Sequence, residues 1–192
     1  MRYDESEYSV SSDAQMKYDD KITSEAVKIV GNYAKVVLKN DEVIFVESWE
    51  MKEGGIITNI TGGEIFYTKG KDKNQKIDEL YKYKKKLIFI DGRSAELSEL
   101  KIGTVFSFSI TEEMLAITAS EKVVVEKLVS ISEKTMKIGN DTYKKRNLYY
   151  STDSENYKED NKIEPLLGIT VKALLAPDGY VLYVMPDNGE EI

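Results

Sequence analysis

Gly103-Thr104-Val105-Phe106-Ser107-Phe108-Ser109-Ile110, followed by Thr111-Glu112-Glu113 and Met114-Leu115-Ala116-Ile117, reads as a glycine, an alternating strand, a polar turn and a second strand. Side chains along a strand point to opposite faces in turn, so apolar residues at every second position mark a half-buried strand. The same order of parts stands on either side. Upstream it is Gly31-Asn32-Tyr33-Ala34-Lys35-Val36-Val37-Leu38, a turn at Lys39-Asn40-Asp41-Glu42, then Val43-Ile44-Phe45-Val46. Downstream it is Gly168-Ile169-Thr170-Val171-Lys172-Ala173-Leu174-Leu175, a turn at Ala176-Pro177-Asp178-Gly179, then Tyr180-Val181-Leu182-Tyr183-Val184. The glycines lie 72 and 65 residues apart, a period that suits a small unit of five or six strands.

Each glycine follows a short lead-in with apolar residues three or four apart: Glu25 to Val30, Leu97 to Ile102, and Lys162 to Leu167. Such a segment predicts a single helical or 3₁₀ turn, closed by a residue free to take positive φ. Two of the units also carry a front hairpin. One is Gly55-Ile56-Ile57-Thr58-Asn59-Ile60, Thr61-Gly62-Gly63, Glu64-Ile65-Phe66-Tyr67; the other runs from Val123 to Ile131, through Ser132-Glu133-Lys134, to Thr135-Met136-Lys137-Ile138. The first unit has no such hairpin. Two expectations compete there: the chain is a piece cut from a longer protein, which is favoured, or residues 1–20 supply a divergent substitute or pair with another subunit.

The fold expected is therefore all-β and mainly antiparallel, with tandem small β-barrel or β-sandwich repeats and one-turn helices between strands. Residues 1–50 form a partial or divergent β unit, and residues 51–122 and 123–192 form one β-barrel repeat each. Alternation places Val36, Leu38, Ile102, Ile110, Leu128 and Val171 among the core residues.

Composition narrows the chemistry. The 192 residues contain neither cysteine nor histidine, which removes disulfides, thiol nucleophiles, Ser-His and Cys-His catalysis and nearly every zinc site. A net charge of −7 argues against a general nucleic-acid binder or an anionic-membrane anchor. No run approaches the roughly 18 apolar residues of a membrane helix. Met1-Arg2-Tyr3-Asp4-Glu5 leads into no apolar signal region. Thirty-four acidic residues guarantee some close carboxylate pairs, but nothing singles one out. No catalytic residue, cofactor or metal ligand is assigned, and the expectation is a non-enzyme. Asp153, Glu155, Glu159 and Asp160 match no calcium-loop spacing and read as a solvated loop.

Three groups remain as binding candidates. Tyr81 and Tyr83 with Lys84 and Lys85 form a basic, aromatic stretch that either stacks on bases or guards a strand edge against aggregation. Tyr143, Tyr149, Tyr150 and Tyr157 suit carbohydrate or protein contact, or else cover the flanks of a thin core. Trp49 packs at a junction between units or stands as an exposed anchor.

Asp91-Gly92, Leu97-Ser98-Glu99-Leu100-Lys101-Ile102-Gly103, the hairpin after it and Glu121-Lys122-Val123 together resemble the small β-barrel repeats of Gram-positive bacteria and their phages. Such repeats recur in cell-surface proteins and in phage tail and baseplate components. The resemblance covers about residues 50–187 and carries over no functional residue. It implies a structural or receptor-contacting module of a phage tail or virion. The alternatives are an extracellular portion of a cell-wall-associated surface protein and a single-strand nucleic-acid-binding small barrel. The partners it implies are other virion or surface proteins, cell-wall glycan, or further copies of the chain.

Overall fold

The turns expected from the sequence form as tight hairpin loops. Asn40-Asp41, Gly62-Gly63 and Asp91-Gly92 each place two successive residues at positive φ, the type I′ geometry whose twist matches that of the flanking strands. A computed structural model of the chain describes residues 7–19, 21–25, 33–69, 72–151 and 163–188. Gly31, Tyr157, the acidic group between 153 and 160, and most of the lead-in to Gly31 lie outside the described residues.

The described residues form almost entirely β-structure, in three sheets. The first contains β1 (Ser9–Tyr18), β2 (Lys21–Ile22), β3 (Tyr33–Lys39) and β4 (Glu42–Trp49), in the order β2-β1-β4-β3. The second contains β5 (Lys52–Thr61), β6 (Glu64–Lys69), β7 (Asp72–Ile77), β8 (Lys85–Ile90), β9 (Arg93–Ala95), β10 (Val105–Ile110) and β11 (Met114–Ser120). Its order is β7-β6-β5-β10-β11-β8-β9. The third contains β12 (Val123–Ile131), β13 (Thr135–Ile138), β14 (Asp141–Tyr150), β15 (Thr170–Leu175) and β16 (Val181–Pro186), and it closes as β12-β13-β14-β16-β15.

One plan runs through all three. The hairpins β3–β4, β10–β11 and β15–β16 each lay their second strand parallel to an earlier one: β1, β8 and β14. In the second and third sheets the first strand of that hairpin also pairs antiparallel with the opening strand of the unit, β5 or β12. The glycines anchor this pairing identically. Gly103 N–H donates to Ile57 O at 2.8 Å while Ile57 N–H donates to Thr104 O at 2.9 Å. Gly168 N–H donates to Leu128 O and Leu128 N–H to Ile169 O at the same two distances. Both glycines sit near φ +87°, each after a 3₁₀ turn, at Leu97–Glu99 and at Glu164–Leu166. The ladders from β5 to β6 and from β12 to β13 even slip register just after Ile57 and Leu128. A side chain added at Gly168 meets nothing within 4 Å, so Gly168→Ala isolates the backbone cost alone. Urea unfolding should report a loss of about 1–2 kcal/mol.

The expectation of tandem small β-barrel or β-sandwich repeats is corrected here. Only the third sheet closes. Its long strand β14 reaches from β13 to β16, whereas in the second sheet that role is divided between β7 and β8. Between them Glu79 takes a left-handed conformation, and the 3₁₀ turn Leu80–Lys82 folds beneath Gly63, whose carbonyl accepts from Leu80 N–H. Burial of Leu80 and Tyr83 in the core secures that detour, and the sheet stays open.

The second and third units each hold a core, one built on Ile57, Ile65, Phe106 and Ile117, the other on Leu128, Val171, Val181 and Val184. Tyr67, Phe106 and Phe108 make edge-on and stacked ring contacts in the former. Ile56 and Val105, on the outer face of the second sheet, pack against Leu174, Leu182, Tyr183 and Met185 of the third. Burial on both faces explains why Ile56-Ile57 and Val181 to Val184 break the alternation. Four residues expected inside are exposed: Val36, Leu38, Ile102 and Ile110. Ile102 borders a cleft between units, Ile110 ends a strand, and Val36 and Leu38 lie on the edge strand of an incomplete unit.

Candidate interaction surface

Strand β4 is buried on both faces at its end, with Glu47, Ser48 and Trp49 successively at 3%, 0% and 1% exposure. Trp49 packs with Met114 and Ala116, and Met51, Leu87 and Phe89 lie against the same cluster. The indole is thus the wedge between the first and second units and presents no ring to an external ligand. Glu47 carries its charge into the same junction and accepts a hydrogen bond from Lys85 Nζ. Removing Lys85 would leave a buried carboxylate without its cation. Because Lys85 itself is about one third exposed, Lys85→Met is expected to cost about 1–3 kcal/mol rather than the full cost of a wholly buried pair. The double variant with Glu47→Gln should recover most of that loss in a thermal melt.

The rest of the basic stretch is divided among structural tasks. Tyr83 is buried in the second core, while Tyr81 is 76% exposed. Lys84 pairs with Glu113, Lys82 with Glu79, and Lys86 donates to the Tyr83 carbonyl. Hydrogen bonding to Glu113 and its charge hold the Lys84 ammonium above its usual range. Acidic neighbours therefore offset the positive charge that the sequence concentrates there. β8 is also no free edge, since β11 flanks it on one side and β9 covers part of the other.

Of the tyrosine group, Tyr143 and Tyr150 are half-buried against the third core, and Tyr149 packs on the junction between the second and third units. Burial, reinforced by Asp141 and Glu126, pushes the Tyr143 hydroxyl above its usual range. Sequence reading passed over the nearby run Lys144-Lys145. Lys144 Nζ lies 6.0 Å from the centre of the Tyr180 ring, which brings β14 and the loop before β16 together. Three consecutive basic residues at 144–146 were the available signal.

Two further features of the described residues bear on an interaction surface. A cleft of about 180 Å³ lies where the second unit hands over to the third, with Ile102, Val123 and Leu174 as apolar walls and Lys101, Glu121 and Lys122 around them. Lys101 pairs with Glu121 at 3.2 Å and Lys122 with Asp91 at 3.5 Å, so the charges of the lining are matched within the chain. Among the described residues no group of three or more acidic side chains is placed to hold a metal ion. The second feature is the outer edge of β3. Among the described residues it pairs only with β4, and Val36, Val37 and Leu38 are 47%, 37% and 40% exposed. An unpaired apolar edge is a template for another strand. Among the described residues no helix is long and apolar enough to cross a membrane. No family model matches the chain, and neither the curated proteins nor the solved structures provide a match.

Proposed function

We propose that the chain is a non-enzymatic structural module of a phage tail or related virion, built from sheets that share one strand-pairing plan and joined to its neighbours through β-sheet edges and apolar junctions. The observation that carries the reading is the repeated anchor at Gly103 and Gly168, set beside packed junctions at Trp49 and at Ile56 with Val105. Those junctions take up Trp49 and Tyr149, two of the large side chains that a binding site would present, and they join the units into one continuous spacer. The side-chain inventory, with neither imidazole nor thiol, fits a mechanical role. Immunogold labelling of a producing phage tests the proposal. Label on the tail is the expected result; label confined to the bacterial wall would overturn it in favour of a wall-associated surface protein.

The single-strand nucleic-acid reading has its own observation in Lys144 and Tyr180 on the closed barrel. It requires oligonucleotide affinity that falls steeply as salt rises. A flat titration removes it.

A further inference from the structure

We propose that Asp19 and Asp91 are positioning residues: each clasps a backbone amide at the exit of its unit and so fixes the direction in which the next unit leaves. The inference deepens the reading of the units as one continuous spacer and rests on it, but not on where that spacer is used.

The two residues lie 72 apart, the interval that separates Gly31 from Gly103. Asp19 follows β1 and Asp91 follows β8, the strands that run parallel to the second strand of each hairpin. Both take the left-handed backbone conformation, at φ +46° and +50°, which aspartate tolerates better than most residues. Their backbones dock alike: Asp19 N–H donates to Ser48 O, and Asp91 N–H to Ala119 O, each at 3.0 Å. Their carboxylates then reach the amide two residues further on. Glu50 N–H donates to Asp19 Oδ1 at 3.4 Å, and Glu121 N–H donates to Asp91 Oδ2 at 3.3 Å. One more residue, Met51 or Lys122, separates that amide from the opening strand of the next unit, β5 or β12.

The third unit shows that the hairpin plan does not itself need the clasp. There Ser151 N–H makes the equivalent bond, to Val184 O at 3.0 Å, but the residue has no carboxylate. Two residues beyond Val184 stands Pro186, which has no N–H to give. Acceptor and donor are replaced together. The clasp therefore accompanies the two hand-overs between units rather than the sheets.

The second joint is the more elaborate. Ser120 Oγ also donates to Asp91 Oδ1 at 3.0 Å, and Lys122 Nζ lies 3.5 Å from the same oxygen. Lys122 O accepts from Leu175 N–H of the third unit at 3.0 Å. One linker residue is thus tied by its side chain to the second unit and by its carbonyl to the third. Apolar contact of Ile56 and Val105 with Leu174 and Tyr183 holds the two units together, but apolar attraction is non-directional. Hydrogen bonds weaken steeply when bent, so the clasp supplies the angle that the apolar contact leaves open.

The chain has no cysteine, so two introduced ones carry spin labels without background. Gln75→Cys on β7 and Lys137→Cys on β13 place labels at exposed strand positions of the second and third units. Pulsed electron paramagnetic resonance then reads the distribution of distances between them in the full chain, and a single narrow distribution is expected. Asp91→Gly accepts the left-handed backbone while removing the carboxylate, and it should widen the distribution by about twofold or more. Asp91→Asn should keep the parent width, because an amide oxygen also accepts from Glu121 N–H and asparagine tolerates the same backbone. Asp91 lies outside the linker, so added freedom in its own turn does not by itself move either label. Unchanged width in Asp91→Gly overturns the proposal, as does equal widening by glycine and asparagine, or a broad distribution in the parent. Should Asp91→Gly fail to fold, Asp19→Gly against Asp19→Asn, read between Lys35→Cys and Gln75→Cys, puts the same question to the first joint with the same overturning results. None of these distances bears on where an antibody labels a phage, so the clasp and the virion reading fail separately.

Discussion

Gly55→Ala is expected to destabilise the middle unit severely. A Cβ at Gly55 would lie 2.2 Å from the Thr68 carbonyl oxygen and 2.9 Å from its carbon, both backbone atoms of the neighbouring strand. No rotamer relieves such a contact, because Ile56 pairs with Thr68 in the same ladder and the strands would have to separate. The residue also sits at φ +152°, outside the range that L side chains prefer. Next to it, a side chain at Gly54 would strike the Phe106 carbonyl at 2.7 Å, so β5 is pressed between its two neighbours at a point where only hydrogens fit. We expect a loss of about 3 kcal/mol or more in urea unfolding followed by circular dichroism. Gly168→Ala carries a backbone cost without a clash, and a larger loss at Gly55 is the result expected from the contact with Thr68. Equal losses would show that the close approach at Gly55 is absent in solution.

Trp49→Ala is expected to release the first unit while leaving the other two folded. The ring is fully enclosed at the junction, and truncating a buried aromatic side chain costs about 3–5 kcal/mol. The first unit has no other large apolar cluster of its own among the described residues, so its attachment depends on this wedge. Limited proteolysis should then cut near residues 50–51 and leave a resistant product that contains the second and third cores. Trp49→Phe separates volume from hydrogen bonding. The indole N–H is buried without a partner, so phenylalanine discards an unpaired donor and should cost much less than alanine. If Trp49→Phe proved as damaging as Trp49→Ala, the indole N–H would have to be engaged in solution. Trp49 is also the sole tryptophan, so its emission in the unmodified protein reports on this junction directly.

The recurrent hairpin was legible because its signals are local: alternation, a turn with residues suited to positive φ, and a glycine after a short apolar lead-in. Those features depend on neighbours in sequence, and Gly103 and Gly168 take up matching bonds. What escaped was pairing between distant strands. Nothing in residues 70–84 announces that β7 and β8 divide the work of one strand, since Glu79 at positive φ has no glycine to mark it. Closure of one sheet and opening of another follow from that single detour. The candidate binding residues carry a different ambiguity. Trp49, Tyr83 and Tyr149 are large and amphipathic, and their composition is the same whether they face a ligand or a neighbouring unit. Burial decides between these cases, and burial is set by the junctions. The exposed edge of β3 was visible in the sequence only as the missing counterpart of a front hairpin. It was the irregularity in the repeat, and not any reactive side chain, that pointed to an interaction surface.

Site-resolved amide exchange by NMR on the unmodified monomer tests the shared plan most directly. The account predicts that the amides of Gly103 and Gly168 exchange at matching rates, as do those of Ile57 and Leu128, because each pair donates at the same place in one of two equivalent backbone bridges. Along β3, every second amide should exchange far faster than its counterparts in β10 and β15. Slow exchange throughout β3 in the monomer, or widely different rates at the two glycines, would contradict it.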